Sequence, residues 1–274
     1  MTEKLLLIND LAGYGKVALG AMMPVLTHMG YDLYTLPTAL VSNTLDYGKF
    51  HILDTTDYIE NTIAVWDELG FSFDAIATGF IVNGRQASLI ADFCAAQQKR
   101  GVPVFVDPIM GDEGRLYNGV DRSLVGHMRD LVGIADVAVP NYTEACLLTG
   151  APYAGAQGMG DRDVTRLMDC MRRICPRSIV ITSAAVNGRA AVIGYDHERD
   201  EQFVIPFEEI PVRFPGTGDV FSSVLMGRKL GGRTLEDATA NAMHAVKDLI
   251  RINKDVDDTY KGIPLERYLG SVLR

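Results

Sequence analysis

Gly216-Thr217-Gly218-Asp219 is the stretch of this chain whose residue types and spacing point most directly to chemistry. It follows a turn signal, Pro215-Gly216, and opens an apolar helical pattern through Val220, Phe221, Val224, Leu225 and Leu230 that closes at Gly231-Gly232. Gly216, Thr217 and Gly218 would then lie at a helix N-terminus, where unpaired backbone N–H groups and the positive end of the helix dipole converge on an anion. Asp219 adds a proton acceptor beside that cradle. A phosphate cradle next to a base is what transfer of a phosphoryl group to an alcohol requires. The same residues also read as an ordinary capped helix with a favourable acid in its first turn.

Three more polar segments are candidates. Asn9-Asp10 ends the apolar run Leu5-Leu6-Leu7-Ile8 and precedes Gly13-Tyr14-Gly15, which reads as a small-ligand contact or as a tight turn. Asp107-Pro108-Ile109-Met110-Gly111-Asp112 closes the apolar stretch Val102 to Val106. Its acids suit hydrated magnesium, a hard cation that takes oxygen ligands, or a solvated turn. Pro140-Asn141-Tyr142-Thr143-Glu144 follows the stretch Asp136 to Val139 and reads as part of a ligand rim or as a helix cap.

The elements that must position these residues alternate. Strand patterns at 4–9, 31–41, 74–78, 102–106, 136–139 and 178–182 are interleaved with helical patterns that include 17–30, 55–69, 86–100 and 162–173. This predicts an α/β fold with a largely parallel sheet, in which ligands gather beyond the carboxyl ends of the strands. Asp10, the polar loop from Ser42, Gly79-Phe80, Asp107, Asn141 and Thr182 would all lie there. Arg189 to Tyr195 and Glu201 to Pro206 read instead as a β-hairpin. No repeat or linker interrupts the pattern, so one domain over 1–274 is expected.

The 274 residues are 47% hydrophobic and carry a formal net charge of −9, which argues against nucleic acid or an anionic membrane as a partner. No apolar stretch approaches the roughly 18 residues of a spanning helix, and Leu5–Ile8 is too short for a signal segment, so a cytoplasmic protein is expected. Cys94, Cys146, Cys170 and Cys175 show no CxxC spacing, fall in segments read as helical, and are expected to be free. The five histidines are scattered without a zinc pattern. Gly13, Gly15 and Gly20 lack the spacing of a dinucleotide fingerprint, which disfavours a dehydrogenase.

Ser42-Asn43 with Tyr47-Gly48, Asp107 to Asp112, Pro140 to Glu144 and Gly216 to Asp219, in that order, resemble the ribokinase-like superfamily and most of all its pyridoxal kinases, from about Leu5 to Ile252. The resemblance implies a three-layer α/β/α sandwich with a small β-hairpin, a homodimer, and phosphorylation of the hydroxymethyl group of pyridoxal or a related B6 vitamer by ATP with Mg2+. It leaves a monovalent-cation requirement open. It implies that Asp219 is the catalytic base and touches the substrate, that Gly216, Thr217 and Gly218 form the anion hole, and that Asp107, Val139, Asn141, Glu144 and Thr182 serve ATP. It assigns Asp107 and Glu144 to the metal, directly or through water, and Asp10, Ser42, Thr44 and Phe80 to the vitamer. Phe80 would stack on the ring or simply pack in the core. Many of these kinases carry Ser near Asp10 and Ser-Asn-His-Thr where this chain has Ser42-Asn43-Thr44-Leu45. The rival readings are a kinase of hydroxymethylpyrimidine or a sugar, and a non-catalytic protein that binds a vitamer or nucleotide.

Overall fold

Leu5, Leu6, Leu7 and Ile8 are all 0% exposed, so a continuous apolar run, not an alternating one, makes a strand covered on both faces. They begin β1 (Lys4–Tyr14), seen in a computed structural model that describes residues 2–117 and 120–273. The glycine segment expected to be a loop is still strand as far as Tyr14, because β1 continues to pair with the next strand out to Tyr14 opposite Asn43. After it come α1 (Leu19–His28), β2 (Asp32–Asn43), β3 (Ile52–Asp54), α2 (Thr56–Glu68) and β4 (Ala75–Thr78). β1 is parallel to both β2 and β4, and β3 closes the order β4-β1-β2-β3 antiparallel to β2.

The chain divides into two compact units, one made of Met1–Ile81 with Ile210–Arg274 and the other of Val82–Glu209. The second contains α3 (Gly84–Gln98), β5 (Val104–Val106), β6 (Gly111–Asp112), β7 (Arg115–Leu116), α4 (Leu124–Gly133), β8 (Val137–Ala138), α5 (Tyr142–Thr149) and α6 (Asp161–Arg172). It ends with β9 (Ser178–Val186), β10 (Arg189–Asp196) and β11 (Glu201–Pro206). β5, β8 and β9 are parallel neighbours, and β10 and β11 form the expected antiparallel hairpin beside them. The first unit resumes with α7 (Thr217–Leu230), α8 (Leu235–Asn253) and α9 (Leu269–Val272).

The fold class is therefore α/β with mostly parallel strands flanked by helices. α7 buries Val220, Phe221, Val224 and Leu225, the apolar positions that its helical spacing predicts. All four cysteines are free; Cys175 lies just beyond α6 and not within a helix, because the helix ends at Arg172 and the chain turns toward β9. Among the described residues no helix is long and apolar enough to cross a membrane.

Candidate active site

In the first unit the site is built around the N-terminus of α7. Gly216 caps the helix at φ 84°, a left-handed conformation, and a Cβ there would fall against the carbonyl oxygen of Lys16. Gly262 approaches the same carbonyl from the C-terminal segment, and Lys16 N–H donates to Lys261 O at 2.7 Å. The Lys16 side chain pairs with Glu266. The loop between β1 and α1 is thus held on several sides by backbone. At its end Ala18 adopts φ 48°, rare for a residue with a Cβ, and donates its N–H to Asp219 Oδ2 at 2.8 Å.

Asp219 is 9% exposed, and its other oxygen accepts from Asn9 Nδ2 at 3.3 Å. Burial pushes its pKa up to about 6, with the Ala18 and Asn9 donors opposing the rise. Asp10, at the adjacent position on β1, is pushed up to about 7, first by burial and then by the charge of Asp219. Asn9 Oδ1 accepts the backbone N–H of Asp10 at 2.9 Å and of Phe80 at 2.8 Å. Asp10, Phe80 and Asp219 are therefore gathered round one buried amide. Thr217 and Gly218, in the first turn of α7, carry N–H groups that have no partner within the helix.

The other two residues expected at the substrate have local partners. Ser42, exposed on β2, donates to Asn43 Oδ1 at 2.7 Å and accepts from His51 N–H at 2.9 Å. Thr44 is 2% exposed and its hydroxyl donates to Tyr260 O at 2.6 Å. Nearby, Tyr47 donates to Asp258 at 2.6 Å, with its ring edge-on to Tyr260 at 5.7 Å. This engagement by residues 258–266 was not foreseen from the sequence, since it joins positions more than 200 apart, through the main-chain carbonyls of Tyr260 and Lys261 and the carboxylates of Asp258 and Glu266.

The second unit holds the acidic cluster. Asn141 and Glu144 form a reciprocal capping box at the start of α5: Asn141 Oδ1 accepts Glu144 N–H at 2.9 Å, and Glu144 Oε2 accepts Asn141 N–H at 2.8 Å. The Glu144 side chain also accepts from Met110 N–H at 2.9 Å, and Asn141 Nδ2 donates to Gly111 O at 2.8 Å. The helix-cap reading of this motif holds, and the cap ties α5 to the segment after Asp107. Glu144 is 2% exposed, and burial followed by the charge of Asp107 holds its pKa well above the usual carboxylate range. Thr182 joins the cluster by donating its N–H to Pro140 O at 3.0 Å. It does not end its strand as expected. β9 runs on to Val186, and between Ile181 and Ala184 it holds one residue more than its partner β10, a bulge that contains Thr182 and Ser183, the latter at φ 54°. Val139 is buried and its N–H is bonded to Val106 O.

Among the described residues no group of three His, Cys, Asp or Glu side chains could hold a metal ion. Two acids in mutual repulsion, one of them already bonded to three backbone N–H groups, suit a cation that keeps most of its water.

Residues 23–263 match the model of the family described as phosphomethylpyrimidine kinase. The pyridoxal kinase of Arabidopsis thaliana is 31% identical over 214 residues, which are 73% of this chain and 65% of that enzyme. A Bacteroides thetaiotaomicron protein of the phosphomethylpyrimidine kinase type, crystallised with pyridoxal, is 32% identical with a TM-score of 0.94 over 100% of this chain and 96% of its own. Pyridoxal kinase from Leishmania donovani, in complex with ADP and pyridoxine, is 25% identical with a TM-score of 0.82 over 99% of this chain and 95% of its own. The chain belongs to the phosphomethylpyrimidine kinase family, on the ribokinase-like fold, among relatives that are pyridoxal kinases.

Proposed function

We propose that this chain transfers the terminal phosphoryl group of ATP to the hydroxymethyl group of pyridoxal or a related B6 vitamer. The observation that carries the reading is Asp219: a carboxylate buried in the first turn of α7, beside free N–H groups, with a second acid at Asp10. Asp219 takes the proton of the attacking hydroxyl as the phosphorus–oxygen bond forms, and the N–H groups of Gly216, Thr217 and Gly218 take up charge on the phosphoryl oxygens. With its raised proton affinity Asp10 can share a proton with a ring nitrogen or hydroxyl, and Phe80 offers a face for the ring. Asp107, Asn141, Glu144, Val139 and Thr182 serve the nucleotide. Hydrated Mg2+ would be held by Asp107, with Glu144 reaching it through water, and supplies neutralising charge on the phosphates.

The relatives crystallised with pyridoxal and pyridoxine favour a pyridine over a sugar. The test is ADP release with Mg-ATP and, in parallel, pyridoxal, pyridoxine, pyridoxamine, hydroxymethylpyrimidine and ribose. Preference for a B6 vitamer supports the reading; preference for another alcohol overturns the substrate, and binding without turnover overturns the enzyme.

The protein is further proposed to act as a homodimer. Leu11 pairs with Leu40 in the β1–β2 register and Leu40 with Leu53 in the β2–β3 register, and these three leucines are 38%, 43% and 54% exposed. Such an apolar row, ending on an edge strand, is what a second copy would cover. Light scattering on the eluted protein gives the mass directly, and a monomer would overturn the assignment. Four free cysteines accord with a reducing compartment, and the cytoplasm is the proposed location.

A further inference from the structure

Asn9 is 2% exposed and its side-chain amide is fully occupied. Its oxygen takes two backbone N–H groups, from Asp10 and Phe80, which fixes which end of the amide is oxygen. The nitrogen must then face the other way, toward Asp219 Oδ1 at 3.3 Å and Met22 Sδ at 3.4 Å. A second observation points to the same contact. Gly79 does not have a positive φ, so its backbone would accept a side chain, yet a Cβ there would overlap the Asn9 amide. The chain lacks a side chain at 79 where Asn9 needs the room.

We infer that Asn9 is the positioning residue of the base: its amide ties Asp219 to the backbone of Asp10 and Phe80 and donates a hydrogen bond that favours the ionised carboxylate. The inference rests on the kinase reading for its consequence in catalysis, not for the contact itself. Asp10 on β1 is the titratable group whose charge couples to Asp219. Lys16, in the loop before α1, is engaged by Glu266; α1 carries only His28, at its far end. On α8, Glu236, Asp237, His244 and Lys247 are exposed and Asp248 pairs with Arg251. On α7 itself the cations Arg228 and Lys229 lie in the last turn. A neutral donor is therefore the natural means of holding Asp219 ionised without a cation in the reacting pocket.

The test titrates the Asp219 carboxyl carbon by 13C NMR in protein labelled at aspartate, assigned by the loss of its signal in Asp219→Asn. Asn9→Asp keeps an oxygen for the Asp10 and Phe80 N–H groups but replaces the donor with a like charge; Asn9→Ala removes both; Gly79→Ala displaces the intact amide. The expected midpoint rises by about one unit in Asn9→Ala, further in Asn9→Asp, and part of the way in Gly79→Ala. Adding Gly79→Ala to Asn9→Ala produces no further rise, since the displaced group is gone. The acid limb of kcat/KM with pyridoxal moves with the NMR midpoint, so the activity loss shrinks as pH rises. An Asp219 midpoint unchanged in both Asn9→Asp and Asn9→Ala overturns the inference whatever the turnover. A midpoint that moves in a protein with no turnover of any vitamer upholds the hold of Asn9 on Asp219 and removes the kinase reading alone.

Discussion

Ala18 donates its backbone N–H to Asp219 across 201 residues of chain, and does so from a backbone conformation, φ 48°, that a residue with a Cβ adopts at a cost. The strain lies where the donor is aimed. Burial alone would keep a carboxyl neutral; the Ala18 and Asn9 donors pull Asp219 back to about 6, so that at neutral pH it is ionised and still basic.

A pH–rate profile follows. In the role proposed for it Asp219 must be ionised in the free enzyme to accept the hydroxyl proton, so kcat/KM is expected to fall on the acid side with a midpoint near about 6. Initial rates of ADP release across buffered pH, at low vitamer concentration, measure it. A limb centred near the unperturbed value of 3.8 would contradict the assigned environment.

Removing the proposed base has a separate signature. Asp219→Ala is expected to keep the fold and vitamer binding and to lose about 10² to 10⁴-fold in turnover, the usual range for a general base. Circular dichroism, equilibrium binding and the ADP assay on one preparation separate the three quantities. Turnover within a few fold of the parent would remove Asp219 from that role.

Much of this arrangement was legible in the residues, for physical reasons that can be named. Leu5–Ile8 reads as a doubly covered strand because burial on both faces needs an unbroken apolar run, and Gly216–Asp219 reads as a helix N-terminus because a Pro-Gly turn signal there precedes an apolar helical pattern. The Asn141–Glu144 cap is local, three residues apart, and so was visible. The loop of Lys16 and Ala18 was not, since what it contributes is a carbonyl and an N–H, which every residue has. Thr44 was assigned to the substrate by resemblance alone, and the bond of its hydroxyl to Tyr260, a partner set by tertiary folding, was not legible. The bulge at Thr182 is likewise a matter of register between β9 and β10, which apolar patterning does not encode.

Asp10 gives a stability prediction with a definite sign. Its folded pKa of about 7 lies above the unfolded 3.8, so between those values the native state binds the proton more tightly and stability falls as pH rises. Below about pH 4 the penalty is absent; above about pH 7 it is complete. Asp10→Asn should therefore stabilise the protein at about pH 8 by about 1–4 kcal/mol and have little effect near pH 4. Urea unfolding at the two pH values checks this, and an equal effect at both would contradict it.

Gly216 is constrained twice, by φ 84° and by the Lys16 carbonyl where a Cβ would lie. Gly216→Ala is expected to cost about 2 kcal/mol or more and to lower turnover as the cradle opens. Gly218, not in the left-handed region and with nothing near its missing Cβ, is the control: Gly218→Ala should cost less than about 1 kcal/mol of stability. Thermal unfolding of the pair ranks them, and equal losses would remove the argument from Lys16.

Glu144 has a structural role in the second unit that can be tested apart from the nucleotide role proposed for it. Its carboxylate accepts N–H groups from Met110, Gly111 and Asn141, the first two on one oxygen and the last on the other. Glu144→Ala leaves these buried donors without an acceptor and should destabilise by about 3 kcal/mol or more. Glu144→Gln can still accept from the Met110 side but turns an amide N–H₂ toward the Asn141 N–H, so it should cost about half as much. Denaturant unfolding without nucleotide measures both, and the order is the test: a glutamine variant as damaged as the alanine variant would mean that charge, and not the number of satisfied donors, holds α5 to the segment after Asp107.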